Sequence, residues 1–465
     1  MIRYVRVALL AGILAGCGDG PLFSDPDYRP EGTARALTSQ ERAVLAANTE
    51  FGLELLRHVA GSTPGNVLVS PLSVSMALGM AMNGAAGETW NEMRTTLGFA
   101  GLSPQQINEA YGEVIDQVRL RDVRVTLGIA NSIWHDQSFE LLPLFVEQAE
   151  TYFDARVSAL DFSDPDAPAT INDWVKRATG GRIPELIDQI APDEVAFLVN
   201  AVYFKAAWST SFDPRLTRIG SFHRADGGTT SAQFMTREDE LAHVADGSVL
   251  AVELPYQDSA FTMVLVMPQT GSIDDYLGTL TPTRWDALLA RLATANAQLS
   301  MPKFTFTMET DLSDVLKAMG MPSAFDDQLA DFTLLTPTPA GLYLSRVQHN
   351  TFIKVDEIGT EAAAATGVGV GVTSLPPQLT FDRPFLAAIR ERETGAVLFV
   401  GVVREPSGGA ERRPTARDRD RDRDRDDGGS NKGGARRDPP RASSPNQPPS
   451  SAVPIPIPIP IPYFT

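Results

Sequence analysis

Between Thr38 and Pro406 the apolar residues recur in two rhythms. Val44, Phe51, Leu55 and Val59 fall at helical spacing, and Thr38-Ser39-Gln40-Glu41 just ahead of them reads as a capping box, so a helix opens the folded region. Further helices are expected over Ser103 to Leu120 and over Pro282 to Ala293, the latter around Trp285, Leu288 and Leu292. The second rhythm belongs to strands: Val249 to Leu254, Phe261 to Met267 with Pro268 as its stop, and near the end Ile389, Val397, Leu398, Phe399, Val400, Val402 and Val403. Helices first and strands later predict an α+β domain. Glu405-Pro406 closes it.

One window fits neither rhythm simply. From Thr360 to Val372 every second residue is Thr360, Ala362, Ala364, Thr366, Val368, Val370 or Val372, a face that is small at one end and β-branched at the other. The alternate positions, Glu361, Ala363, Ala365, Gly367, Gly369 and Gly371, carry one charge and no bulk. An alanine run by itself favours helix, yet Gly-Val-Gly-Val-Gly-Val follows it. No proline occurs between Glu357 and Leu375, so every backbone N–H could join a sheet ladder; Pro376 and Pro377 end the stretch. Burying each valine would stabilise by roughly 1.5–3 kcal/mol. The three glycines weaken a strand and suit an exposed, flexible loop, so the window reads as a loop able to become a strand.

Composition bounds the rest. A chain of 465 residues with 43% hydrophobic content can bury a sizeable core, and no stretch is apolar for long enough to span a bilayer. The net charge is −18; the segment from Glu411 onward holds eleven basic and eight acidic residues, so the remainder carries about −21, which argues against nucleic acid or a heparin-type polyanion as partner. At the other end Arg3 and Arg6 precede the apolar run Val7 to Leu14, and Leu14-Ala15-Gly16-Cys17 resembles a bacterial lipobox cleaved before Cys17, the only cysteine. A lipid on Cys17 would anchor an exported protein to the cell envelope, and Gly18 in place of an aspartate favours the outer membrane or cell surface. Stability must then come from the core rather than from disulfides. The organisation expected is a leader over 1–16, a polar spacer over 17–37, the folded domain over 38–406 and a low-complexity tail over 407–465. That tail alternates Arg and Asp over Arg417 to Asp427, is Gly, Ser and Pro rich over Gly428 to Pro449, and alternates Pro and Ile over Pro454 to Pro462, none of which builds a core.

The run Glu357-Ile358-Gly359-Thr360-Glu361-Ala362-Ala363-Ala364-Ala365-Thr366 resembles the hinge of the serpin family, and Asp382-Arg383-Pro384-Phe385-Leu386 resembles that family's signature segment. Asn66 to Ser73, Gly84 to Thr89, Asn200 to Trp208, Leu254-Pro255-Tyr256, Met301 to Phe304 and Ala330-Asp331-Phe332 match further family segments in order, over roughly Leu37 to Pro406. The resemblance implies helices packed on a large, mostly antiparallel main sheet with smaller sheets, and an exposed reactive-centre loop. It implies a monomeric suicide inhibitor of serine proteases, and of cysteine proteases for some members, in which the cleaved loop enters the main sheet and distorts the trapped enzyme. Ser70, Ser73, Asn200 and His349 would form a polar shutter over the sheet, and Trp208 would stand where the loop first enters it. Read by themselves, Ser70 before Pro71 is a good helix N-cap, Trp208 a core aromatic and His349 a strand histidine. Ile358, where the family often has a charge, lies ahead of the inserting segment.

An enzyme finds little support in the inventory. His58, His135, His223, His243 and His349 show no metal-ligand spacing, no Gly-x-Ser-x-Gly elbow is present, and no cofactor is called for. Family spacing counted from Gly359 and back from Phe381 puts the target bond at Thr373–Ser374. Thr373 is small and β-branched, with Val372 and Val370 upstream, which suits elastase-like or subtilisin-like enzymes. The competing expectation is a non-inhibitory serpin fold used as a surface binding or structural module. Small residues at Thr360, Ala362 and Ala364 speak for inhibition, since non-inhibitory members often carry bulk, charge or proline there.

Overall fold

The computed structural model describes residues 33–338, 341–360 and 376–406. Cys17, Thr373, Ser374, the hinge from Glu361 through Thr366, the leader and the tail lie outside the described residues. The chain opens with α1 (Ser39–Ser62), capped by Thr38, whose side chain accepts from the Glu41 N–H while the Glu41 carboxylate accepts from the Thr38 N–H. Next come β1 (Val67–Val69), α2 (Pro71–Gly84), α3 (Gly87–Thr96) and α4 (Pro104–Arg119). The second of these, α2, is apolar nearly all round and is buried nearly all round, as such a helix must be.

Strands then alternate with helices: β2 (Thr126–Asp136), α5 (Pro143–Phe153), β3 (Ala155–Leu160), α6 (Ala167–Ala178) and β4 (Ala196–Ala207). A run of strands follows, β5 (Arg218–His223), β6 (Thr229–Ala245), β7 (Val249–Pro255) and β8 (Phe261–Pro268), with α7 (Ile273–Gly278) and α8 (Pro282–Leu289) after it. The chain ends through β9 (Ala293–Pro302), β10 (Phe304–Asp311), α9 (Ser313–Met319), β11 (Gln348–Val355), β12 (Gly359–Thr360), β13 (Gln378–Thr380), β14 (Phe385–Glu391) and β15 (Val397–Val403). The α+β expectation holds, with two differences. Strands β2 to β4 interleave with the early helices, and α8 stops at Leu289 because Ala293 already belongs to β9, which pairs with His243 of β6.

Among the described residues the strands form two sheets. One runs β1-β15-β14-β8-β7-β6-β9-β13 with β5 beside β6, joined into one ladder by the 17-residue β6. The other runs β10-β11-β12-β4-β2-β3. The core between them and the helices is closed by Phe51, Phe304, Phe381 and Phe385, all below 2% exposed. A second apolar cluster, with Trp134, Ile171, Trp174 and Phe197, seals α6 onto β2 and β4. No helix among the described residues is long and apolar enough to cross a membrane.

Candidate functional site

The loop window begins inside the six-stranded sheet. After β11 the chain turns at Asp356-Glu357-Ile358: the Asp356 N–H donates to Gly359 O at 3.1 Å, and Asp356 Oδ1 accepts from the Ile358 N–H at 3.0 Å. Gly359 and Thr360 then pair antiparallel with β4, opposite Ala207 and Ala206, and Thr360 also lies opposite Val355 of β11. Position 359 has to be glycine, since a Cβ there would stand 2.2 Å from Ala206 O. Among the described residues β12 is all that lies between β4 and β11, which share no ladder of their own.

This first rung is held from every side. The Trp208 N–H donates to Ile358 O at 2.8 Å and its Nε1–H to Asp356 O at 2.9 Å, while the indole stacks on the Tyr256 ring at 4.5 Å. The Tyr256 hydroxyl meets the Thr360 hydroxyl at 2.6 Å, and burial pushes that phenol well above its ordinary pKa. Glu357 is anchored outside the sheet: burial alone would raise its carboxyl, but the Lys303 ammonium at 2.8 Å and the Thr217 hydroxyl at 2.7 Å hold it below the usual carboxylate range.

Lower in the same sheet the other polar residues gather. Ser70 caps α2, accepting from the Ser73 N–H at 3.4 Å and donating its own hydroxyl to Leu398 O at 2.8 Å. The Ser70 N–H donates to His349 Nε2 at 3.1 Å, so that nitrogen is an acceptor and the ring is neutral. Burial lowers the His349 pKa to about 4. Across the gap, Asn200 Nδ2 donates to Asn131 Oδ1 at 2.5 Å, and Asn131 passes its own amide N–H to Phe153 O at 2.6 Å. The structure thus brings Ser70, Ser73 and His349 together on one side and sets Asn200 opposite; Trp208 lies at the top with Gly359 and Thr360. Tyr256, Lys303 and Asn131 belong to these two clusters without having been singled out by sequence. The first two stand in segments that carry the family resemblance, so a signal for position existed but none for role.

Residues 46–406 match the family model described as serpin, serine protease inhibitor. This chain is a serpin. It is 36% identical over 374 residues to serpin A3-3 of Bos taurus, spanning 78% of this chain and 89% of that protein. Among solved structures, the thermophilic serpin tengpin in its native state superposes with a TM-score of 0.73 at 29% identity, covering 81% of this chain and 97% of that one. Human thyroxine-binding globulin, solved with thyroxine bound, superposes equally well, with a TM-score of 0.73 at 28% identity over 79% of this chain and 100% of that one.

Proposed function

We propose that this serpin is a suicide inhibitor of serine proteases whose cleaved loop extends β12 down the gap between β4 and β11. The observation that carries this reading is the register of the first rung. With Thr360 opposite Ala206 and Val355, each further loop residue meets the preceding residue on both parallel strands. Thr366 would then fall level with Asn200 and His349, and Val370 would reach Ala196, the first residue of β4. On the face that Thr360 presents to the core, the loop supplies Ala362 and Ala364 beside Phe204 and Val202, where space is short, and Val368 and Val370 below. Small residues slide past the aromatic, and the two valines contribute roughly 1.5–3 kcal/mol each when buried.

The protease supplies the chemistry. Its nucleophile attacks the carbonyl of the target residue, the acyl-enzyme forms, and insertion competes with hydrolysis of that ester. The intact inhibitor is a kinetically trapped state with the energy of insertion still unspent. The target bond proposed is Thr373–Ser374, with elastase-like or subtilisin-like enzymes as partners. No polyanion cofactor is expected at α4, whose one basic residue, Arg119, is turned inward and donates to Leu127 O and Ile129 O at 3.0 Å each. We further propose export and lipid anchoring through Cys17, supported by the Leu-Ala-Gly-Cys box; Cys17→Ser should move the protein from the membrane to the soluble fraction, and unchanged fractionation would reject the anchor.

The deciding experiment is incubation of the protein with a panel of serine proteases, followed by denaturing gels. A covalent complex that survives detergent supports inhibition. Clean cleavage with every enzyme, and no complex with any, would leave a serpin fold without inhibitory function.

A further inference from the structure

A cavity of about 150 Å³ lies within the six-stranded sheet, between the facing edges of β4 and β11 and against α2. Its apolar wall includes Val74, Ala77, Leu78, Phe197, Leu335 and Leu344. A cavity of this order accommodates a single benzene-sized ring. Among the polar side chains that line it, Asn200 and His349 stand on opposite strands, β4 and β11. They stand at the same height, because Ala206 and Val355 both face Thr360 and each polar residue lies six positions earlier on its strand. An even offset on two parallel strands also puts both side chains on one face of the sheet, the face that packs on α2.

Each offers a definite polarity. His349 Nε2 accepts from Ser70, so the neutral ring carries its proton on Nδ1, which is a donor. Asn200 spends its amide N–H on Asn131, whose own amide N–H goes to Phe153 O, so the direction of the chain leaves Asn200 Oδ1 as an acceptor. That oxygen is buried and has no partner among the described residues. A donor and an acceptor therefore flank one apolar cavity, and a hydroxyl group answers both.

We propose that this cavity binds an uncharged, ring-sized hydroxyl compound of the phenol class, whose oxygen accepts from His349 Nδ1–H and whose proton is donated to Asn200 Oδ1. An anion does not fit: the wall is apolar, the facing histidine is neutral, and the one cation in the lining, Arg346, is already paired with Glu194 at 2.9 Å while Asp193 adds a further negative charge. A hydrocarbon ring fills the space but leaves both polar groups unanswered. Because the ligand would occupy the rung level with Asn200 and His349, it would also slow strand insertion; this consequence rests on the inhibitory reading above, whereas binding does not.

Phenol and toluene are titrated separately into the intact protein at pH 7.5 without protease, followed by calorimetry and by the imidazole resonances of the five histidines. Phenol should bind about five- to 150-fold more tightly than toluene, the range that two buried hydrogen bonds supply, and should shift the resonance that His349→Gln removes. Ala77→Phe, which fills the cavity, should abolish both titrations while the melting curve reports an intact fold. If that variant does not fold, the phenol-to-toluene ratio and the His349 shift still decide the matter on the unaltered protein. Equal affinities, no saturable binding, or a His349 resonance that phenol leaves unmoved would overturn the proposal. Added phenol should slow formation of the covalent protease complex, and an unchanged rate at saturating phenol would reject the regulatory part. Absence of any complex without phenol would count against inhibition and leave the binding result standing.

Discussion

The hydroxyl oxygens of Tyr256 and Thr360 lie 2.6 Å apart in a site where both residues are buried, at 0% and 3% exposure. This one contact fastens Thr360 to the neighbouring nine-stranded sheet, since Tyr256 follows directly on β7. Tyr256→Phe keeps the ring that stacks on Trp208 but leaves the Thr360 hydroxyl buried without its partner, at a cost of about 1–3 kcal/mol. The variant should melt several degrees lower, and hydrogen exchange at Ile358 to Thr360 should quicken. Unaltered exchange there would mean that Trp208 alone holds the rung.

On the proposed inhibitory mechanism, Thr360→Arg should turn this serpin from inhibitor into substrate. Thr360 sits between Ala206 and Val355 with its side chain against the neutral Tyr256 hydroxyl, none of which can neutralise a guanidinium, and an unpaired charge there costs several kcal/mol. Insertion slows while acylation continues, so the protease hydrolyses the ester and leaves. Gels should show the same cleavage with little covalent complex, and equal complex yield from both proteins would sink the insertion mechanism. Thr366→Val tests the depth of insertion separately. It removes the hydroxyl proposed to arrive level with Asn200 and His349, so the cleaved variant should gain less heat stability on cleavage than the cleaved wild type.

Cleavage itself is checked by mass spectrometry of the released C-terminal fragment. It should begin at Ser374, and a start at Thr373 would move the target bond to Val372–Thr373.

Acid should loosen the sheet through His349. Burial lowers its pKa from 6.5 to about 4, so the unfolded chain binds this proton before the folded one does. Its contribution is fully present above about pH 6.5 and is lost as the pH falls toward 4, by roughly 3 kcal/mol at most at 1.36 kcal/mol per pKa unit. Protonation would also abolish the acceptor that the Ser70 N–H uses. Asp154 acts in the opposite sense, because burial raises its carboxyl to about 7 and stability from its protonated form grows as the pH falls. Denaturation curves of wild type and His349→Gln at pH 7.5 and pH 5 separate the two. The wild type should lose more over that interval, and parallel losses would show that His349 is not the group responsible.

Much of this molecule was legible in one dimension because the signals are local. The capping box at Thr38 and Glu41, the N-cap at Ser70 with Pro71 behind it, and the apolar strands β7, β8 and β15 follow from side chains within a few residues of one another. The α8 boundary was not legible: Ala290 to Leu292 keep an apolar rhythm, and the helix ends at Leu289 because β9 is recruited by a ladder to β6 some fifty residues earlier in the chain. The resemblance at Glu357 to Thr366 named a hinge, but nothing in that string says where the hinge is held.

The amino-acid sequence by itself determined the α+β class, the family, the Pro-free window with its small and then β-branched face, and the acidic character that disfavours polyanions. These depend on composition and short-range periodicity. Only the tertiary structure decided that Thr360 is already seated between Ala206 and Val355, that Tyr256 and Trp208 hold that rung, and that Asn200 and His349 face each other at one height across the gap. Asn200 and His349 are separated by 149 positions in the chain, and their level is set by counting back from a single pairing at Thr360. No local pattern contains that count, because the register of a strand is settled by its partners and by the core it must cover.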